Sequence, residues 1–204
     1  MKHTIAVWLV LMLGACSLGP PQKDAAATYD LGGLPAPTTG QPRIRASLLV
    51  HAVAAPSWLE SYSIVYRLNY QDAGRQLTYA NSRWAAPPAA LLTQRLRAQL
   101  AAASDGGILS VGDSARAEYA LRIELEEFSQ VFDTAAASRG VIIARASIVN
   151  VTRRALHAQK TFAIDRPAAS ANAEGGVRAL TLASGELIDA VVAWTAASLA
   201  QDKK

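Results

Sequence analysis

Cys16 is the side chain in this sequence that is best suited to a covalent reaction. A thiol can act as a nucleophile, and this is the only cysteine in the chain. It follows an apolar run, residues 5–13, that has Lys2 on its N-terminal side and the small pair Gly14 and Ala15 on its C-terminal side. This order is typical of a secretory signal peptide with a small-residue cleavage site. Nine helical residues rise roughly 14 Å. The hydrocarbon core of a bilayer is about 30 Å thick, so the run is too short to span a membrane.

Four residues at the end of this run resemble the lipobox of bacterial lipoproteins: Leu13, Gly14, Ala15 and Cys16. The resemblance implies that the thiol receives a diacylglyceryl group, that residues 1–15 are removed as a signal peptide, and that the new amino terminus is acylated, for example with palmitate. Each buried CH2 contributes about 0.8 kcal/mol, so one acyl chain binds a membrane marginally and two or three bind it stably. A small-residue cleavage site beside a chance cysteine is the alternative interpretation.

Ser17, the residue after the cysteine, bears on the membrane that receives the anchor. A serine rather than an aspartate at this position favours the periplasmic face of the outer membrane in enterobacterial-type sorting. The inner membrane is the alternative, because this sorting rule varies among bacteria.

The rest of the sequence shows no clear signal for nucleic-acid binding, a metal site or catalysis. A formal net charge of +4 without a basic run does not indicate nucleic-acid binding. His51 and His157 are isolated in the sequence, whereas metal sites need convergent ligands. Glu124 and Glu126 share a strand face, as an acid–base pair would, but Arg122 on the same face favours a solvated polar surface. We therefore predict no catalytic residues, no metal, no cofactor and no nucleic-acid partner.

Residues 16–42 predict a lipidated tether. Residues 17–42 hold five of the nine prolines and four of the thirteen glycines, and such a chain spans about 3 Å per residue when extended. Tyr29, Asp30 and Leu31 interrupt this composition and predict a short edge strand. The folded domain is predicted over residues 43–204.

Strand and helix patterns follow one another along this domain. Alternating apolar residues predict strands over 43–53, 62–70, 76–83, 108–111, 119–126, 141–151 and 156–164. The alternation slips at Glu126 and Glu127, which predicts a β-bulge there. One helix is opened by Pro87 and Pro88, and a second, over residues 177–199, has apolar residues three and four positions apart. These elements predict an α+β fold, with an antiparallel or mixed sheet built from hairpins and two main helices packed on it.

Several short motifs occur in a characteristic order. In chain order they are Tyr29-Asp30-Leu31, Pro56-Ser57-Trp58-Leu59-Glu60, Ile64-Val65-Tyr66-Arg67, Leu77-Thr78-Tyr79, Arg83-Trp84-Ala85-Ala86-Pro87 and a terminal helix with Trp194. Together they resemble the ABC-type transport auxiliary lipoprotein component family, which includes the lipoprotein of the paraquat-inducible (Pqi) intermembrane transport operon. The resemblance implies partners of two kinds, an ABC transporter permease and a protein of the mammalian-cell-entry (MCE) type. It also implies transport of lipids or other hydrophobic molecules between the inner and outer membranes.

An accessory subunit without a catalytic cluster must act through a surface. We predict that this surface contains Trp58 and Leu59 on the loop 56–60 and Arg67 on the adjoining strand 62–70, because aromatic and arginine residues dominate binding hot spots. The same surface would serve a homo-oligomer. The alternative is that Trp58 covers the edge of the core.

Two other functions compete with transport. The first is a structural or assembly lipoprotein that supports an outer-membrane machine, which a neighbouring barrel gene would favour. The second is a lipoprotein enzyme, which needs a clustered catalytic set that the sequence does not show.

We predict that Cys16→Ser abolishes lipid attachment and leaves the domain folded, because the tether separates the anchor from the core. Metabolic labelling with a fatty-acid analogue measures attachment, and circular dichroism checks the fold. Ser17→Ala is the matched control and keeps the label. Label retained on the Cys16→Ser protein would disprove lipid attachment at this cysteine.

Overall fold

The computed structural model describes residues 25–33 and 43–200, which form an eight-stranded mixed sheet with two helices packed on it. The strands are β1 (Ala27–Tyr29), β2 (Leu48–Val50), β3 (Ser63–Leu68), β4 (Asp72–Trp84), β5 (Ile108–Ser110), β6 (Tyr119–Phe132), β7 (Ser138–Asn150) and β8 (Ala155–Pro167). The helices are α1 (Pro88–Ala103) and α2 (Ala173–Ala200). The predicted α+β class is therefore confirmed. The predicted signal peptide, Cys16, Ser17 and most of the tether lie outside the described residues.

Strand β6 is the central strand of the sheet and pairs with three other strands. On one side it pairs antiparallel with β7, which in turn pairs with β8. On its other side it pairs parallel with β2 at its beginning and with β3 at its end. The sheet continues from β2 to β5, and from β3 through β4 to the edge strand β1. Hairpins give only part of this sheet, since four of its pairings are parallel.

The predicted bulge in β6 is present. Leu125 pairs with Ala144 and Glu127 pairs with Ile143, so Glu126 is the extra residue. Side chains alternate between the two faces of a strand, and the extra residue exchanges the faces. Three odd-numbered residues before the bulge and two even-numbered aromatic residues after it are buried: Leu121, Ile123, Leu125, Phe128 and Phe132.

Several strands differ in extent from the prediction. The strand predicted over 43–53 is reduced to β2, although its four alternating apolar residues are buried as expected: Ile44, Ala46, Leu48 and Val50. Strand β4 begins at Asp72, four residues before the predicted start of this strand at residue 76. The predicted edge strand begins two residues earlier, at Ala27, and Leu31 after it is buried in the core.

Helix α1 has one buried face, as predicted, but it also buries a charge. Arg95 is only 7 % exposed, although arginine side chains are rarely buried. Its guanidinium donates hydrogen bonds to the carbonyl oxygens of Leu31, Gly32 and Gly33. Burial lowers the pKa of this guanidinium, and Asp30 opposes the shift. These acceptors are more than sixty residues away in sequence, so the pattern within α1 could not indicate them.

Helix α2 lies very close to the sheet. A Cβ atom added at Gly140 on β7 would lie 2.7 Å from the backbone nitrogen of Leu180, and one added at Gly176 would collide with the Gln130 side chain. By length and apolar composition α2 also qualifies as a membrane span. More than half of its most apolar stretch is buried within the fold, as in the core helix of a globular domain.

Gln130 is held rigidly beneath α2. Its Oε1 accepts a hydrogen bond from the Tyr79 hydroxyl at 2.9 Å, and its Nε2 donates to the Ser138 hydroxyl at 2.8 Å. Gln130 is fully buried, and burial raises the pKa of Tyr79 to about 12. Any displacement of this amide leaves buried polar groups without partners, which costs about 1–3 kcal/mol.

We predict that Gly176→Ala lowers the free energy of unfolding by about 1–3 kcal/mol, because the new methyl group must displace Gln130. Gly185→Ala, in the same helix, is the matched control, since no atom lies within 4 Å of its added Cβ. The control should raise the free energy of unfolding by up to about 1 kcal/mol through helix propensity. Urea unfolding measures both changes, and equal effects of the two substitutions would contradict the close approach of α2 at Gly176.

Candidate partner-binding surface

The segment predicted as a loop contains a short 3-10 turn, Ser57–Leu59, between β2 and β3. The Leu59 amide donates to the Pro56 carbonyl at 2.8 Å, and the Glu60 amide donates to the Ser57 carbonyl at 3.2 Å. The Leu59 side chain is 2 % exposed and belongs to the core. The buried Leu59 side chain therefore anchors the turn to the core. The prediction that Leu59 is a surface contact residue is wrong.

Trp58, the preceding residue, is partly buried and packs against the edge of the core. The Arg67 guanidinium lies over its ring, 5.5 Å from the ring centroid, which is a cation–π geometry. Arg67 also forms an ion pair with Glu127, with Nη2 3.2 Å from Oε2. The side chains of Arg67 and Glu127 are 17 % and 18 % exposed, so both partners are substantially desolvated. We call these three residues the Trp58–Arg67–Glu127 stack.

The bulge in β6 explains why Glu127 is available to Arg67. Glu127 follows the extra residue Glu126, so it points away from the helices, whereas the next residue, Phe128, points into the core. Arg67 is paired with Val131 of β6. Its side chain therefore lies, like that of Glu127, on the face of the sheet opposite the helices, which we call the outer face. The outer face is thus where the stack forms.

A groove of about 480 Å³ lies beside the stack. Its lining residues are Ala54, Ala55, Pro56, Trp58, Glu124, Leu125 and Glu126. The segment after β2 runs alongside β6, because the Ala54 amide donates to the Ile123 carbonyl and the Leu125 amide donates to the Ala54 carbonyl. This pairing carries the chain to Pro56 and positions Trp58 at the end of the groove.

The acidic side of the groove is held by Arg145 on β7. Arg145 forms an ion pair with Glu124, and its Nε lies 3.8 Å from a carboxylate oxygen of Glu126. The hydrogen bond with Glu124 raises the pKa of Arg145. All three side chains are largely exposed, so these pairs contribute little stability and remain accessible to a partner.

The structure brings Trp58 and Arg67 into contact and adds Glu127, which sequence reasoning missed. Glu127 was not predicted as a contact, whereas Glu124 and Glu126, interpreted as a solvated face, are 54 % and 43 % exposed. The slip in alternation at Glu126 was the signal available in the sequence, because a bulge changes the face on which the following residue lies.

Metal ligands are not clustered in the described part of the chain: no group of three or more His, Cys, Asp or Glu side chains lies close enough to hold an ion there. His157 Nε2 lies 3.1 Å from the Ser198 carbonyl oxygen, and its ring packs near Tyr119. Burial, followed by the charges of Arg122 and Arg97, lowers the pKa of His51.

The chain is similar to known families and structures over most of its length. The family model described as "ABC-type transport auxiliary lipoprotein component" matches residues 29–192, from β1 into α2. Protein XCC0632 from Xanthomonas campestris has a TM-score of 0.77 at 21 % identity, covering 87 % of this chain and 98 % of its own. The hypothetical protein CT253 from Chlamydia trachomatis has a TM-score of 0.52 at 10 % identity, covering 76 % and 98 %. At such identities these two structures share the fold, and no curated protein matches the chain.

We predict that Leu59→Ala lowers the free energy of unfolding by about 2–5 kcal/mol, because it removes a buried side chain beneath the turn. Trp58→Ala should cost less than about 2 kcal/mol, because Trp58 only caps the edge of the core. Tyr70→Ala, at an aromatic side chain that is 44 % exposed, is the control and should change stability by less than about 0.5 kcal/mol. Urea unfolding measures the three variants. A loss for Trp58→Ala as large as that for Leu59→Ala would make Trp58 a core residue.

Proposed function

Because the chain belongs to the family of ABC-type transport auxiliary lipoprotein components, we propose that it is a lipid-anchored periplasmic accessory subunit that acts through protein–protein contacts. Its transport system moves lipids or other hydrophobic molecules between the inner and outer membranes. Its partners are an MCE-type protein and the permease of the ABC transporter. The anchor is the lipidated Cys16, at the periplasmic face of the outer membrane.

The observation that supports action through contacts is the Trp58–Arg67–Glu127 stack at the end of an open groove. Tryptophan and arginine are enriched among residues that carry most of the binding energy of an interface. Here Glu127 and the Trp58 ring already fix the Arg67 side chain. Less side-chain entropy is therefore lost when a partner binds, which favours affinity.

The groove supplies the polar rim that such a hot spot needs. Glu124, Glu126 and Arg145 surround it with charges of both signs, and their side chains are 43–54 % exposed. Charged groups at the rim of an interface steer association and select the partner more than they add affinity. We therefore propose that the MCE-type partner places an apolar side chain beside Trp58 and polar groups at this rim.

The anchor is compatible with this placement. Cys16 precedes the first residue of β1, Ala27, by eleven positions. A fully extended chain of that length reaches at most about 40 Å. The domain would therefore stay close to the membrane while its outer face meets a partner that crosses the periplasm.

We predict that Trp58→Ala weakens capture of the MCE-type protein by about thirtyfold, because truncating a hot-spot residue commonly costs about 2 kcal/mol. Arg67→Ala should have a similar effect, since it removes the cation above the ring and leaves the partly buried Glu127 without its partner. Co-purification and titration with the full-length lipoprotein in detergent micelles measure binding, and light scattering measures self-association.

Two controls make this test specific. Tyr70→Ala removes an exposed aromatic residue outside the stack and should bind like wild type. Arg67→Lys keeps the charge but loses the planar guanidinium, so it should give intermediate binding. If Trp58→Ala and Arg67→Ala both fold, as judged by circular dichroism, and bind with wild-type affinity, the partner does not use the stack.

A further inference from the structure

A second and larger groove lies at the β1 edge of the sheet. Its volume is about 690 Å³, and it separates the edge strand β1 from the first half of α2. Thr28 and Tyr29 line it on the sheet side, and Val177, Thr181 and Leu182 line it on the helix side. Leu182 is 64 % exposed although it is a large apolar residue. An apolar wall is therefore presented beside the edge of the sheet.

The main chain of β1 has a free side at this groove. Within residues 25–33 and 43–200, β1 pairs with β4 and with no other strand. The Tyr29 carbonyl accepts a hydrogen bond from the Ala85 amide at 2.6 Å, so the backbone groups of Tyr29 point towards β4. The N–H and C=O of neighbouring residues in a strand point in opposite directions, so those of Thr28 point away from β4.

A donor and an acceptor on an extended backbone are complementary to a second extended backbone. A strand added at Thr28 would lie about 4.8 Å from β1, and every second side chain would face the groove and Leu182. The addition of a short strand to a sheet edge already occurs within this fold, because β1 is itself a three-residue segment that pairs in parallel with the edge of β4.

The charged groups around the groove are already paired. Arg178 forms an ion pair with Glu174 one helical turn away. The Asp30 carboxylate interacts with the positive charge of Arg95, and one of its oxygens also accepts a hydrogen bond from the Gly32 amide at 2.7 Å. These opposite charges balance in pairs, so the groove offers no net charge that would attract a charged side chain, which favours an uncharged segment.

From these observations we propose that the edge of β1 and the adjoining groove bind an extended, uncharged segment of a partner protein as an additional strand. Main-chain hydrogen bonds to Thr28 hold the segment, and an apolar side chain packed on Leu182 selects it. A fatty acyl chain fits these observations less well, because it would leave both Thr28 groups without partners. The proposal goes beyond the partner contact at the Trp58–Arg67–Glu127 stack and does not depend on it.

The test uses a matched pair of substitutions at one position. Thr28→Pro removes the outward N–H and keeps the pairing of β1 with β4, because that N–H does not face β4. Thr28→Val removes the hydroxyl that accepts a hydrogen bond from Arg83 and keeps the N–H. Leu182→Glu, at an exposed position, changes the apolar wall without touching the strand edge.

The probe is a phage-displayed library of random seven-residue peptides, selected on the full-length lipoprotein in detergent micelles. We expect enriched peptides with uncharged, alternating apolar residues that bind wild type and Thr28→Val equally. Binding to Thr28→Pro should be about tenfold weaker, which is the loss of one hydrogen bond. Binding to Leu182→Glu should also weaken, and the bound peptide should slow hydrogen exchange of the Thr28 amide in wild type.

Three results would overturn the proposal. The first is the absence of any enriched peptide that distinguishes Thr28→Pro from Thr28→Val or slows exchange at Thr28. The second is a protein dimer, seen by light scattering without peptide and lost in Thr28→Pro, which would assign the edge to a second copy. The third is displacement of the peptide by palmitate with equal strength in wild type and Thr28→Pro, which would assign the groove to acyl chains. If Thr28→Pro does not fold, the Leu182→Glu comparison and the exchange measurement still decide between these outcomes.

Discussion

The extra residue at Glu126 in β6 determines what each face of the sheet carries. Before it, Leu125 faces the helices, and after it Phe128 does, so one long strand contributes to the core on both sides of the bulge. The same insertion leaves Glu127 on the outer face, within reach of Arg67. Without it, β6 would turn either its first or its last apolar residues away from the helices. The core and the candidate binding surface therefore depend on one irregularity.

Much of this arrangement is visible in the sequence because it depends on local patterns. The alternation in β6 and its slip at Glu126 predicted a strand and a bulge, and Pro87 and Pro88 predicted the start of α1. The spacing of apolar residues predicted α2 as a helix packed on the sheet. These features follow from the two periodicities of strands and helices, which each segment carries independently of its neighbours.

The rest could not be predicted, because it depends on partners far away in the chain. Arg95 lies three positions after Leu92 and four before Gln99, so its spacing fits the buried face, but the burial of its charge is explained only by three carbonyl groups about sixty positions earlier. Trp58 and Leu59 are adjacent apolar residues, and only the geometry of the 3-10 turn decides that Leu59 enters the core. Parallel pairing of β3 with β6 likewise joins segments that no hairpin connects.

The Arg95 contact also separates the N-terminal segment 25–33 from the candidate binding surface. A buried cation is tolerated only where hydrogen bonds replace its lost hydration, and the carbonyls of Leu31, Gly32 and Gly33 provide them. With Leu31 in the core and β1 paired to β4, the N-terminal segment is fastened to α1 and to the edge of the sheet. A pull from a membrane anchor would then load these contacts first. The Trp58–Arg67–Glu127 stack is carried instead by the Ser57–Leu59 turn, β3 and β6, so the outer face would keep its geometry if the N-terminal segment were pulled.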